Sequence, residues 1–182
     1  MRLKKSFFIR PTLLVAKELL GKLLVRKIGP FDKLRVGKTV GTEAYIGPKD
    51  RASHAFNWKM TPRNKTEYLE GGHIYIYLVY GMYWQFNITT AKRGQPECVL
   101  IRALEAPEAT GPGKLCRWLK LDKSFDGEDL TKSKKIWLED REVKIKKSQI
   151  VATKRVGIDY AKEWAKKPWR FYIKDNLYVS RK

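Results

Sequence analysis

The chain has 182 residues, 43% of them hydrophobic and 12% aromatic, which is enough apolar surface for one good core and too little for two. Lysine and arginine outnumber aspartate and glutamate by 39 to 19, a formal net charge of +20, so the field of the whole protein attracts polyanions and repels cations. Nucleic acid is the first partner this implies and an anionic membrane surface the second. No run approaches the roughly 18 apolar residues of a spanning helix, and Arg10-Pro11 breaks the apolar start MRLKKSFFIRPTLLV short of a signal-peptide core, so a soluble, cytoplasmic chain is expected.

In chain order, RPTLLVAKELLG describes a short helix, with Pro11 at a first-turn position, apolar residues at 13, 16, 19 and 20, and Gly21 as its stop. LLVRKI is a strand. From Leu34 to Ile46 a Val, Thr and Tyr-rich stretch with glycine interruptions predicts a strand that bends or lets another backbone approach closely. HIYIYLVYGMYWQFNITT forms two aromatic and β-branched runs around Tyr80-Gly81, a hairpin, and CVLIRALE is a further buried strand; these are expected at the sheet's centre. GPGKLCRWLKL is helical, TKSKKIWLED ends in a short strand, DYAKEWAKK is an amphipathic helix stopped by Pro168, and WRFYI closes the chain with a strand. No repeat or linker interrupts residues 1–182, so the class is α+β in a single domain.

The two cysteines, Cys98 and Cys116, make no disulfide framework, and with His54 and His73 they have no metal-ligand spacing. No metal or cofactor is expected; Cys116 is read as a small buried hydrophobe on a helix. The lysines at 132, 134, 135, 144, 146 and 147 are read as solvated faces.

The stretch GTEAYIGP sets one acid, Glu43, in an apolar strand of a very basic protein. Residues two apart on a strand share a face, so Glu43 and Tyr45 point one way together, as do Tyr75, Tyr77 and Val79. One reading makes the tyrosines core aromatics and pairs Glu43 with an arginine such as Arg102. The other makes two aromatic walls around an acid, because an unpaired carboxylate in an apolar strand costs several kcal/mol and aromatic faces beside a basic groove hold unstacked bases.

The segments TEAYIGPKDRASHAF, MTPRN, IYIYLVYGMYWQFNI, CVLIRALE, GKLCRWLKLDKSFDG and RVGIDYAKEWAKKPWRFYI together resemble the alkyladenine (3-methyladenine) DNA glycosylase family, over nearly the whole chain from Phe8 to Tyr172. The resemblance implies a compact fold of mainly antiparallel curved sheet with surrounding helices and a protruding hairpin. It further implies a monomeric, cofactor-free base-excision-repair enzyme that flips a damaged purine out of double-stranded DNA and hydrolyses its N-glycosidic bond, without lyase chemistry.

By the same resemblance Glu43 is the general base that activates water, Arg102 helps hold that water, and Val156 does so through its backbone carbonyl. Tyr45 and Tyr77 are walls of the base pocket, His54 completes it and Asn87 crowds its floor. Tyr80 fills the gap left by the extruded nucleotide, with Met82 and Tyr83 beside it on the DNA surface. Lys59, Arg63, Lys114 and Lys123 lie along the DNA path; Lys114 also follows Gly111-Pro112-Gly113 at a helix start, where free N–H groups favour an anion. The segment TTAKRGQPE is slightly longer than in familiar members and AFNWKM after His54 departs from them, which bears on the pocket rim and on damage preference.

A carboxylate with the reference pKa of about 4.3 is ionised at neutral pH and able to take a proton from water. Leaving-group activation is the gap. Purines alkylated at N3 or N7 are already cationic and leave readily, whereas hypoxanthine or ethenoadenine needs a proton, and the sequence marks no dedicated acid. A silent damaged-DNA binder and a nucleoside hydrolase are the alternative functions.

Overall fold

A computed structural model describes residues 1–29 and 33–180. Helices α1 (Lys5–Phe8) and α2 (Thr12–Glu18) precede strands β1 (Leu23–Lys27), β2 (Leu34–Tyr45), β3 (Ile74–Val79), β4 (Tyr83–Thr89) and β5 (Cys98–Leu104). Helix α3 (Pro112–Leu119) follows, then β6 (Ile136–Glu139), β7 (Ile150–Thr153) and β8 (Arg170–Ile173). The fold is α+β: one eight-stranded sheet, antiparallel at every pairing, in the order β3-β4-β5-β2-β1-β6, with β8 on β2 and β7 on β8.

The twelve-residue β2 organises this sheet. Its start pairs with β1, while Thr39–Tyr45 pairs with β5 and Gly41–Glu43 with β8. The register against β5 shifts on both sides of Gly41, which bends the strand and curls the sheet. Gly37 meets the expectation of close approach, because a Cβ there would stand 2.9 Å from the Leu104 side chain. Helix α2 covers the sheet with Val15 and Ala16, and the Ala16 carbonyl accepts a 2.8 Å bond from Thr42 Oγ1. Together with Phe86, Ile88, Val99, Ile101 and Leu115 these residues form the main core, each buried aliphatic or aromatic side chain contributing about 1.5–3 kcal/mol.

Three expectations change. The hairpin β3-β4 lies at the sheet's edge; β2 and β5 occupy its middle, because β2 supplies partners along its whole length. The DYAKEWAKK segment is 3-10 backbone over Asp159–Lys166, broken at Lys162 (φ 53°, ψ −127°), and not an amphipathic α-helix. Its Trp164 carbonyl accepts from Arg155 Nη2 at 3.3 Å, so that group is committed to a side chain. Strand β7, too short to stand out in the sequence, was not anticipated. Cys116 does lie buried on α3, where burial pushes its thiol up to about 12.

Candidate active site

The curled end of β2 sets Glu43 deep inside the molecule, with none of its surface exposed. Its Oε1 accepts from the backbone N–H of Val156 at 2.9 Å and faces Arg102 Nη1 at 3.3 Å; its Oε2 accepts from Tyr45 Oη at 2.9 Å. Glu43 is therefore paired with Arg102, as the first reading has it, and is also bonded to the tyrosine two residues on. At Val156 it is the N–H that touches the acid. A carboxylate has about four lone-pair positions, and these donors take three of them, leaving one on Oε2.

Tyr45 carries this cluster to a narrow cleft, open at its mouth, which His54, Tyr77 and Asn87 also line. Three of the wall rings interlock: His54 meets Tyr77 edge-on at 4.5 Å between centroids, and Tyr75 lies 5.2 Å from Tyr77. Tyr75 Oη is 2.6 Å from His54 Nδ1. Although His54 is exposed, desolvation of its ring, and then the charge of Arg63, depress its imidazole to about 4. It is therefore neutral at pH 7 and does not repel a cationic base. Asn87, almost wholly buried, is fixed by bonds from its amide to the carbonyls of Tyr75 and Gln85 at 3.2 Å.

Two features behind these walls have no role assigned from the sequence. Arg155 forms a fully buried ion pair with Asp50 and donates to the Ala44 carbonyl at 2.9 Å, while its guanidinium stacks 4.7 Å from the Tyr45 ring and 5.2 Å from Trp169. Burial opposes the charge of Arg155, yet the bond and charge of Asp50 outweigh it and raise its pKa. The second feature is Glu67, which lines the cleft from the turn Lys65–Tyr68. It is buried; its carboxylate accepts from Cys98 Sγ at 3.4 Å through Oε1, and Oε2 has no partner among the described residues. Burial pushes this carboxyl up to about 8, despite the hydrogen bond from Cys98 and the polar Asn64 side chain nearby. In the sequence, Glu67 is indistinguishable from Glu70 three residues on.

At the hairpin's tip, the backbone of Val79 accepts from Met82 N–H at 3.1 Å, with Tyr80 (φ 52°) and Gly81 (φ 67°) both left-handed. That is a type I′ turn, which favours glycine at Gly81 and strains Tyr80. Tyr80 is 87% exposed, and Met82 and Tyr83 are exposed beside it. Lys59, Arg63, Lys114 and Lys123 are all on the surface, as are the lysines at 132, 134, 135, 144, 146 and 147. Their settings differ: Arg63 is tied to the Leu78 carbonyl at 2.9 Å over the Tyr77 ring, and Lys123 is paired with Asp126 at 2.8 Å. In the departing AFNWKM segment, Asn57 and Trp58 are both left-handed and Trp58 is 62% exposed. No group of three or more His, Cys, Asp or Glu able to hold a metal occurs among the described residues, and no helix there is long and apolar enough to cross a membrane.

Comparison with known proteins gives this arrangement a class, that of the DNA glycosylases, hydrolases of the N-glycosidic bond with DNA as substrate. The sequence model of methylpurine-DNA glycosylase matches residues 6–177, and the chain belongs to that family. A protein of Bdellovibrio bacteriovorus named as a 3-methyladenine DNA glycosylase is 43% identical, with both chains covered end to end. Another so named, from Natranaerobius thermophilus, is 42% identical over 99% of each chain. The human DNA-3-methyladenine glycosylase is 38% identical over 98% of this chain and 68% of its own.

Proposed function

We propose that the chain, as one domain over residues 1–182, is a monomeric, monofunctional glycosylase of base excision repair. Its substrates are damaged purines of the 3-methyladenine, 7-methylguanine, hypoxanthine and ethenoadenine class in duplex DNA. The observation that carries the reading is the fixing of Glu43, held by Val156, Arg102 and Tyr45 with one acceptor position left for water.

The damaged nucleotide turns out of the helix, its base enters the slot between Tyr45, Tyr77 and His54, and Tyr80 takes its place in the stack. Asn87, rigidly held on the floor, crowds a base that carries an additional exocyclic amine. The water on Glu43 loses a proton to Oε2 as its oxygen bonds the sugar's anomeric carbon, a general-base contribution of roughly 10²–10⁴-fold. Arg102 orients the carboxylate. Lys59, Arg63, Lys114 and Lys123, with Met82 and Tyr83, follow the backbone of the bound duplex. Among the described residues no lysine lines the cleft, so no Schiff-base step is assigned and the strand stays intact.

The test is incubation with duplex DNA bearing one defined 7-methylguanine, with detection of free base and of heat-labile abasic sites. Both products are expected, with no strand break before heating. Binding without base release would leave a silent damage binder, and release from free nucleosides alone would leave a nucleoside hydrolase.

A further inference from the structure

We propose that Glu67 is the general acid of the base pocket, its carboxyl O–H giving a proton to a neutral purine as the glycosidic bond breaks. The inference rests on the glycosylase reading above and supplies the acid that reading lacks. Three observations place it. Glu67 lines the same cleft as Tyr45, Tyr77 and Asn87, on a different element from Glu43. Its carboxyl is almost wholly buried, and one of the two oxygens has no partner among the described residues, an arrangement that costs about 1–3 kcal/mol unless a ligand supplies the bond.

The turn that carries it is also fixed. Asn64 accepts from the Thr61 backbone N–H at 2.7 Å, donates to the Lys59 carbonyl at 2.9 Å, and through its own carbonyl accepts the Glu67 N–H at 2.9 Å. Thr66 Oγ1 ties the other side of the turn to Asp126 at 2.9 Å. The acid is therefore built in place and not left to swing in from solvent.

Its surroundings favour the proton. The titratable groups facing it are Cys98 from β5, Tyr75 and Tyr77 from β3, Tyr68 from its own turn, and Asp50, whose charge is spent on Arg155. Burial raises the thiol and all three phenols, so these four stay neutral, and Asp50, although paired with Arg155, still raises the Glu67 carboxyl slightly. Among the described residues no cation forms an ion pair with Glu67. A carboxyl raised to about 8 is protonated at neutral pH and sits near the range where an acid catalyst is most effective.

The step balances without a further reactant. Water gives one proton to Glu43 while its oxygen bonds the anomeric carbon; the electron pair of the breaking carbon–nitrogen bond leaves with the purine. A ring nitrogen of that purine takes the Glu67 proton. Glu67, now a carboxylate, is reprotonated from solvent and Glu43 releases its proton, so one water is consumed. A base alkylated at N7 arrives already cationic and needs no such proton.

The experiment compares single-turnover release of hypoxanthine and of 7-methylguanine from duplex DNA across pH 6 to 9.5, for the wild type and for Glu67→Gln. In the wild type, hypoxanthine release should fall as pH rises through about 8 while 7-methylguanine release does not share that fall. Glu67→Gln should lose hypoxanthine release by roughly 10²–10⁴-fold, lose 7-methylguanine release by far less, and lack the alkaline fall. Thermal melts give a readout independent of activity. Between the usual carboxylate range and about 8 the folded state holds a proton that the unfolded state has lost, so wild-type stability should decline with pH across that window relative to the variant. Equal losses on both bases, a melting difference that ignores pH, or a wild type that frees 7-methylguanine but not hypoxanthine overturns the assignment of Glu67. A wild type that frees neither base overturns the glycosylase reading beneath it, and the wild-type pH profile decides the matter even if the variant does not fold.

Discussion

Tyr83, the first residue of β4, lies so close over Gly113 of α3 that a Cβ on the glycine would stand 2.9 Å from the tyrosine's Cδ1 and 3.2 Å from its Cβ. The exposed hairpin is thus seated on the start of α3, one residue from Lys114. Gly113→Ala should displace the Tyr83 ring at an overpacking cost of about 1–3 kcal/mol and weaken lesion-duplex binding by tilting the tip. Melts and titrations on labelled duplex check it; a variant with wild-type melting and binding would show that this contact does not seat the hairpin.

Tyr80 has the opposite strand parity to Tyr75 and Tyr77 and stands on a turn strained for a tyrosine. Such strain persists where the fold enforces it, and here it presents a ring to solvent. Removing a wedge should matter most where extrusion is costly, a few kcal/mol for a paired base. Tyr80→Ala should slow single-turnover excision strongly on a paired lesion and much less on a mispaired one, with unchanged melting. Equal losses on both substrates would count against the wedge.

A net charge of +20 predicts steep salt dependence: the logarithm of affinity should fall linearly with that of salt, with a slope of about −0.9 per phosphate neutralised. Lys114→Ala should shallow the slope by about that amount. Lys123→Ala should do less, because Asp126 already holds the Lys123 ammonium. Affinity indifferent to salt would remove the phosphate contacts from the account.

The buried pair Asp50–Arg155 supports the wall of the cleft through the Tyr45 ring. Asp50→Ala leaves an arginine charge buried without its partner, which costs about 3–5 kcal/mol and, for a chain of this length, lowers the melting temperature by roughly 10 °C. A melting temperature within a degree or two of wild type would mean that water or another carboxylate replaces Asp50.

Much of this was legible along the chain. The aromatic and β-branched run IYIYLVY and the continuous apolar run CVLIRALE marked their strands, and the shared parity of Glu43 and Tyr45 anticipated a contact the structure places at 2.9 Å. What remained hidden was nonlocal. The hairpin's edge position depends on which strand β2 pairs with, and no local pattern encodes that. The residues from Asp159 to Lys166 have helical spacing, but Ala161 and Trp164 are drawn into a small cluster with Ala52 and Ile158, and the backbone breaks at Lys162 to allow it. Asp50 and Arg155 lie within the segments that carry the resemblance, yet nothing local marks them, or Glu67, as buried. Only the fold turns them inward.

The most direct measurement of the central claim is single-turnover release of 7-methylguanine from duplex DNA by Glu43→Gln, alongside its affinity for the same duplex. Glutamine keeps the shape and can still meet Arg102, Val156 and Tyr45 in part, but it cannot take the proton of water. Release should fall by at least about 10²-fold with lesion binding little changed. Release at close to the wild-type rate would contradict the account, because the buried carboxylate at the end of β2 would then not be the base.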